Sequence, residues 1–176
     1  MIKTIKGREF EVFIPEQKII ERVKELGLKI TTDFNGSELV MIGILNGAFI
    51  FASDLCRQID LPLSLSFVKI ASYDGMNSTE SVKKLIGLSE DLSGKHVILV
   101  EDIVDSGLSM NFLLDHFSSL NPASISIATL LFKPEAFRFN YPLHYVGFEI
   151  PNKFVLGYGL DYDGIGRNLS DIYQLV

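Results

Sequence analysis

The run Val97-Ile98-Leu99-Val100-Glu101-Asp102-Ile103-Val104-Asp105-Ser106-Gly107-Leu108-Ser109-Met110 decides the fold. Four apolar residues in a row, Val97 to Val100, have the pattern of a buried strand. Glu101 and Asp102 follow at the point where that strand is expected to leave the core. Asp105, Ser106, Gly107 and Ser109 form a small polar turn, and Met110, Leu113, Leu114 and Phe117 fall at helical spacing behind it. The order is strand, acidic tip, polar loop, helix. In an open parallel sheet, ligands bind at the carboxyl ends of the strands. The helix N-terminus behind the loop offers unpaired N–H groups and a positive dipole end, which suit a phosphate. One site thus combines an anion cradle with two acids able to meet sugar hydroxyls or a metal ion.

The bulk composition agrees with an α/β domain of this kind. The chain has 176 residues, most simply one domain spanning 1–176, with 47% hydrophobic and 22% charged residues. Its net charge is −6 and no Lys/Arg-rich block occurs, which argues against nucleic acid as a partner. The single cysteine, Cys56, permits no internal disulfide and fits a reducing, cytoplasmic setting. Its neighbours Ala52 and Ile59 at helical spacing predict a buried position. The first residues carry no signal-peptide core. The longest nearly apolar run, Leu39 to Phe51, is interrupted by Asn46 and Gly47 and is too short to span a bilayer, so no membrane partner is expected.

Outward from the central motif, residues 1–13 read as a short lead-in strand. Pro15 suits the first turn of a helix. The stripe Ile19, Val23, Leu26, Ile30 carries that helix to about Asp33. Leu39 to Leu45 is a second buried strand, broken at Asn46-Gly47-Ala48 and followed by a helix through Ile50, Leu55 and Ile59. Leu63, Leu65 and Phe67 alternate with Ser64 and Ser66 as a strand should. Asp74 to Ser81 is rich in turn formers and reads as a mobile loop, from which Val82 to Leu88 returns as a strand. Ser124 to Phe132 is a further strand, ending at Lys133-Pro134. No Walker A sequence, G-x-G-x-x-G or zinc-spaced Cys/His cluster occurs. His96, His116 and His144 are scattered and take structural readings.

The apolar strand, Glu-Asp, two apolar residues and Asp-Ser-Gly-x-Ser resemble the phosphoribosyl pyrophosphate signature of type I phosphoribosyltransferases, and more narrowly the hypoxanthine-guanine branch. Three further stretches fall in the family order: Leu45-Asn46-Gly47-Ala48, Lys133, and Val146 to Tyr162 with Arg167. The resemblance implies a central, mostly parallel sheet flanked by helices, a small hood formed largely by the C-terminal segment, and a flexible loop over about 72–86 that begins at Ser72-Tyr73. It implies transfer of phosphoribosyl to a 6-oxopurine, hypoxanthine or guanine, with release of pyrophosphate and Mg2+ as cofactor. Glu101 and Asp102 would meet the ribose hydroxyls, and Asp105, Ser106, Gly107, Leu108 and Ser109 the 5′-phosphate. Asp105 would also be the general acid/base for the purine N7 proton.

By the same resemblance Leu45, Asn46, Gly47 and Arg167 would bind pyrophosphate, through a dipeptide at Leu45-Asn46 that is often cis in the family. Lys133, Lys153, Phe154, Val155 and Asp161 would bind the purine. Glu101, Asp102 and Asp161 would serve the metal. Asn46 and Leu108 stand where relatives commonly have lysine, and Asp163-Gly164-Ile165-Gly166 is more glycine-rich than usual, which predicts a looser loop before Arg167. The family is usually dimeric or tetrameric. A transferase for xanthine, adenine or a pyrimidine, a non-catalytic regulator and an acidic-pocket phosphoacceptor domain are the alternatives. The Lys133 and Phe154–Asp161 segment, the retained Asp105 and the Ser-Gly-x-Ser cradle speak against them.

Overall fold

A computed structural model describes residues 2–74, 81–88 and 90–176, with the backbone alone for 71–74 and 81–84. Thirteen elements run β1 (Ile2–Ile5), β2 (Arg8–Ile14), α1 (Glu16–Asp33), β3 (Leu39–Leu45), α2 (Phe49–Cys56), β4 (Leu63–Asp74), β5 (Ser81–Ile86), β6 (His96–Val104), α3 (Leu108–Ser118), β7 (Ser124–Phe132), β8 (Tyr145–Glu149), β9 (Val155–Leu156) and β10 (Ile172–Leu175). The main sheet has the order β5-β4-β3-β6-β7-β8. All its neighbours pair in parallel except β4 and β5. This is the central, mostly parallel sheet expected from the central motif.

Strand alternation assigns each side of the sheet to its helices. Met41 of β3 and Ile98 and Val100 of β6 pack with Ile19, Val23, Leu26 and Ile30 of α1 and Phe51 and Leu55 of α2. Their neighbours Val40, Ile42, Val97 and Leu99 face the other way and pack with Met110, Leu113 and Phe117 of α3. Both faces are covered, so these strands read as unbroken apolar runs.

The smaller sheet, β1-β2-β10-β9, is the hood. It draws on both chain ends. In place of the one lead-in strand expected over 1–13, residues 2–14 form a hairpin turning at Lys6-Gly7, and β2 pairs β10 across the chain, Phe10 opposite Leu175. Tyr158 ties the hood to the main body, its hydroxyl donating to the Asp54 carboxylate of α2 at 2.6 Å.

Two further expectations are corrected. α2 stops at Cys56 rather than running through Ile59, and the chain leaves it through three-residue turns (Gln58 N–H to Leu55 O, 3.0 Å) toward Pro62. As the last residue of α2, Cys56 is only partly buried. His96 and His144 have structural partners, the Ser124 hydroxyl and the Ile127 N–H. Where a closing loop is expected, β4 and β5 pair from Lys69–Ile86 to Asp74–Ser81. Its tip, residues 75–80, and the side chains of Ser72 and Tyr73 lie outside the described residues.

Candidate active site

β6 does not end before its acids. It continues through Glu101 and Asp102 to Val104, pairing with β7 over its whole length. Pairing with β3 ends at Val100, and β7 alone keeps the strand extended past the point where composition would end it. The acids therefore inherit its alternation. Glu101 follows Val97 and Leu99 on the α3 side and lines the hollow formed by residues 103–110. Asp102 follows Ile98 and Val100 on the opposite side. There a Cβ added to Gly47 would lie 1.6 Å from its Oδ2, so only glycine lets the 45–48 loop come this close. Burial, and then the neighbouring Asp102 charge, push the Glu101 carboxyl well above the usual carboxylate range. Burial also raises Asp102, opposed by its hydrogen bonds to Glu101 and to backbone N–H groups and by the charge of Arg167.

The Leu45–Asn46 peptide is cis. Asn46 is exposed, and α2 begins three residues later at Phe49. Gly159 of the hood segment closes on the same loop, since a Cβ there would sit 2.2 Å from Gly47 O. The loop after β3, the acid of β6 and the hood thus meet at one place, although they are far apart in sequence.

Past β6, Asp105 is exposed and Gly107 takes a left-handed conformation, φ +86°, as the N-cap of α3. The first backbone bond of the helix is Asn111 N–H to Gly107 O, 2.9 Å. Leu108 N–H turns back to the Ser106 hydroxyl at 3.4 Å, and the N–H groups of Ser109 and Met110 project ahead of the helix over the hollow of about 100 Å³ that Glu101 and residues 103–110 line. β7 ends beside this loop, with Phe132 opposite Val104. Lys133 follows, 7% exposed, and its ammonium lies 2.9 Å from the Asp105 carboxylate.

A second cleft, of about 270 Å³, is lined by Asp102, Ile103, Asp105, Lys133, Phe154, Val155, Leu160 and Asp161. Phe154 is 45% exposed, and its ring is held edge-on by Tyr162 at 5.5 Å, leaving apolar area open to a flat ligand. Arg167 is gripped rather than loose. It pairs with Asp161 (2.6 Å) and donates to Gly159 O (2.7 Å), while Gly164 N–H donates to Asp161. The expected looseness of 163–166 is therefore corrected. Tyr162 and Ile165 bond to each other in both directions, and the positive φ of Asp163 and Gly164 between them is what this tight turn requires. Lys6 of the β1–β2 turn also pairs with Asp163.

The structure brings Asp102, Asp105, Lys133, Phe154, Val155 and Asp161 around one cleft, with Gly47 against Asp102, Arg167 on Asp161 and the 106–109 loop beside Asp105. Lys153 is exposed in the loop before β9 and does not line the cleft. Ile103 and Leu160 do line it, and nothing in their sequence surroundings distinguishes them from core residues. Among the described residues no three acidic, histidine or cysteine side chains converge as a metal cage. Asp102 and Asp161 instead offer single carboxylates on the open cleft. That donor set fits a magnesium ion, which is usually held by one or two carboxylates together with substrate phosphates and water.

Residues 14–163 match the model of the phosphoribosyl transferase domain, and the chain belongs to that family. It is 43% identical over 169 residues to the hypoxanthine phosphoribosyltransferase of Salmonella typhimurium, covering 94% of this chain and 95% of the relative. A solved hypoxanthine-guanine phosphoribosyltransferase of Bacillus anthracis, with a HEPES molecule in its active site, superposes with TM-score 0.88 at 41% identity over 100% of both chains. The Trypanosoma cruzi hypoxanthine phosphoribosyltransferase in complex with its product IMP does so with TM-score 0.86 at 36% identity, covering 99% of this chain and 97% of that one.

Proposed function

We propose that this protein transfers the phosphoribosyl group of phosphoribosyl pyrophosphate to hypoxanthine or guanine, giving inosinate or guanylate and pyrophosphate. The observation that carries the reading is the direct ion pair between Lys133 and Asp105 in a cleft that also holds Phe154. It sets a donor for a base carbonyl beside a proton acceptor, under an aromatic platform. The relatives named as hypoxanthine phosphoribosyltransferases, one of them in complex with its product IMP, support the same choice of base.

In this reading the N–H groups ahead of α3 and the Ser106 and Ser109 hydroxyls take the 5′-phosphate. Glu101 and Asp102 take the ribose hydroxyls. The 45–48 backbone and Arg167 face the pyrophosphate, the arginine by its planar donor fork. Phe154 stacks on the purine and Val155 meets its edge through the backbone. Lys133 donates to the 6-oxo oxygen, which the 6-amino group of adenine cannot accept. As one ring nitrogen bonds to the anomeric carbon and the bond to pyrophosphate breaks, Asp105 takes the N7 proton. Asp102 and Asp161, with Glu101 nearby, would hold Mg2+ shared with the substrate. Bound there, the ion neutralises the charge that develops on the leaving group. Asn46 brings no cation to the pyrophosphate, so this chain relies on backbone donors, Arg167 and the metal.

The test supplies phosphoribosyl pyrophosphate and Mg2+ with hypoxanthine, guanine, xanthine, adenine or uracil separately, and separates products by chromatography. Inosinate or guanylate formed in step with pyrophosphate supports the proposal. No nucleotide from either oxopurine overturns it.

A further inference from the structure

The connection from β7 to β8 has no helix. Residues 134–144 instead lay an aromatic cluster beside the 105–109 loop, on the α3 side, where Tyr141 and Leu143 join the core. Phe137 meets Phe132 and Tyr141 edge-on at 5.3 and 5.1 Å, and Phe139 stacks on Tyr141 at 5.7 Å. From this cluster two groups reach the loop. The Tyr141 hydroxyl donates to Gly107 O at 2.7 Å, beside the Asn111 N–H that the same carbonyl accepts at 2.9 Å, and the Arg138 N–H donates to Ser106 O at 3.2 Å.

Both contacts are to carbonyls, and that is their significance. A trans peptide is planar, with its C=O and N–H pointing in opposite directions. Holding Ser106 O and Gly107 O toward the aromatic cluster therefore turns the N–H groups of Gly107 and Leu108 the other way. A flip of either peptide would exchange a donor for an acceptor. We propose that Tyr141, with the Arg138 backbone, is a positioning residue that keeps the donor side of the 105–109 loop turned toward the 5′-phosphate. The proposal rests on the reading of this loop as the phosphate cradle. Two observations agree with it. A Cβ on Gly107 would lie 2.6 Å from the Tyr141 oxygen and 2.7 Å from the Phe137 ring, so glycine and tyrosine are built for each other. Burial, and then the Glu101 charge, push the Tyr141 hydroxyl up to about 12, so it stays a donor throughout the neutral range.

Tyr141→Phe removes the donor and keeps the ring. Loss of one hydrogen bond predicts a rise of about three- to tenfold in KM for phosphoribosyl pyrophosphate and in the calorimetric Kd for inosinate. The KM for hypoxanthine, kcat and the melting temperature should stay near the parent's. Phe137→Leu leaves the hydroxyl in place and should leave all these constants within about twofold. The inference is overturned if Tyr141→Phe binds both phosphate ligands as the parent does. It is overturned equally if the hypoxanthine constant and the melting temperature move along with them, or if Phe137→Leu does as much. A parent that makes no nucleotide from any base would instead remove the proposed function, and the inosinate titration would still decide the role of Tyr141.

Discussion

Replacing Lys133 with methionine should cost most of the oxopurine reaction and little of the stability. The Lys133 side chain is nearly buried, with its ammonium 2.9 Å from Asp105. An ammonium has three donors. One is used by Asp105, which leaves donors for a base oxygen in the cleft. A hydrogen bond to a charged group contributes about 1.5–3 kcal/mol, so kcat/KM for hypoxanthine should fall roughly 10- to 150-fold. Adenine should change far less, since it makes no such bond. Removing one partner of a buried ion pair costs about 3–5 kcal/mol when the other charge is stranded. That penalty does not apply here, because Asp105 is half exposed and water can replace the lysine. Methionine has similar length, so the melting temperature should drop by only a few degrees. The assay is kcat/KM for hypoxanthine and adenine in both proteins, with melting followed by circular dichroism. Hypoxanthine kcat/KM within twofold of the parent, or equal use of both bases by the parent, would remove Lys133 from recognition of the base.

Asp105→Asn keeps an acceptor for Lys133 but cannot take a proton. Turnover should fall about 10²- to 10⁴-fold while inosinate still binds, and unchanged turnover would remove Asp105 from the chemistry. Gly47→Ala puts a methyl group where Asp102 Oδ2 lies. It should lower kcat/KM for phosphoribosyl pyrophosphate at least tenfold, a drop of about 1.4 kcal/mol in transition-state stabilisation or more; a parent-like value would mean the loop is free to retreat. Burial, and then the Lys29 charge, lower the pKa of His144, whose ring accepts the Ile127 N–H. The folded state then binds fewer protons there than the unfolded chain. Its contribution to stability is present above about pH 6.5 and is lost as the pH falls through the folded value. Between pH 8 and 5 the parent should lose slightly more melting temperature than His144→Asn, and parallel curves would contradict this.

Some of this architecture is written locally and some is not. The bounds of β3 and β7, Leu39–Leu45 and Ser124–Phe132, follow from apolar runs flanked by polar residues, and α1 from its four-residue stripe. The end of β6 does not, because pairing with β7 carries the strand through two acids that composition would place in a loop. The hood is hidden for a related reason. Residues 8–14 become a strand by pairing with 172–175, at the other end of the chain. Individual site residues were legible through the family pattern around Glu101 to Ser109 and Phe154 to Arg167. Their contacts were not. The Lys133–Asp105 pair depends on β6 and β7 being neighbours, the Gly47–Asp102 contact on the register of β3 and β6, and the grip of Tyr141 on a helix-free crossover that has no local signal.

A crystal structure with inosinate bound tests most directly whether these parts form one nucleotide site. The 5′-phosphate should lie on the N–H groups of residues 107–110, the ribose hydroxyls at Glu101 and Asp102, and the base on Phe154 with its 6-oxo oxygen at Lys133. A phosphate bound away from the α3 N-terminus, or a base that contacts neither Phe154 nor Lys133, would contradict it.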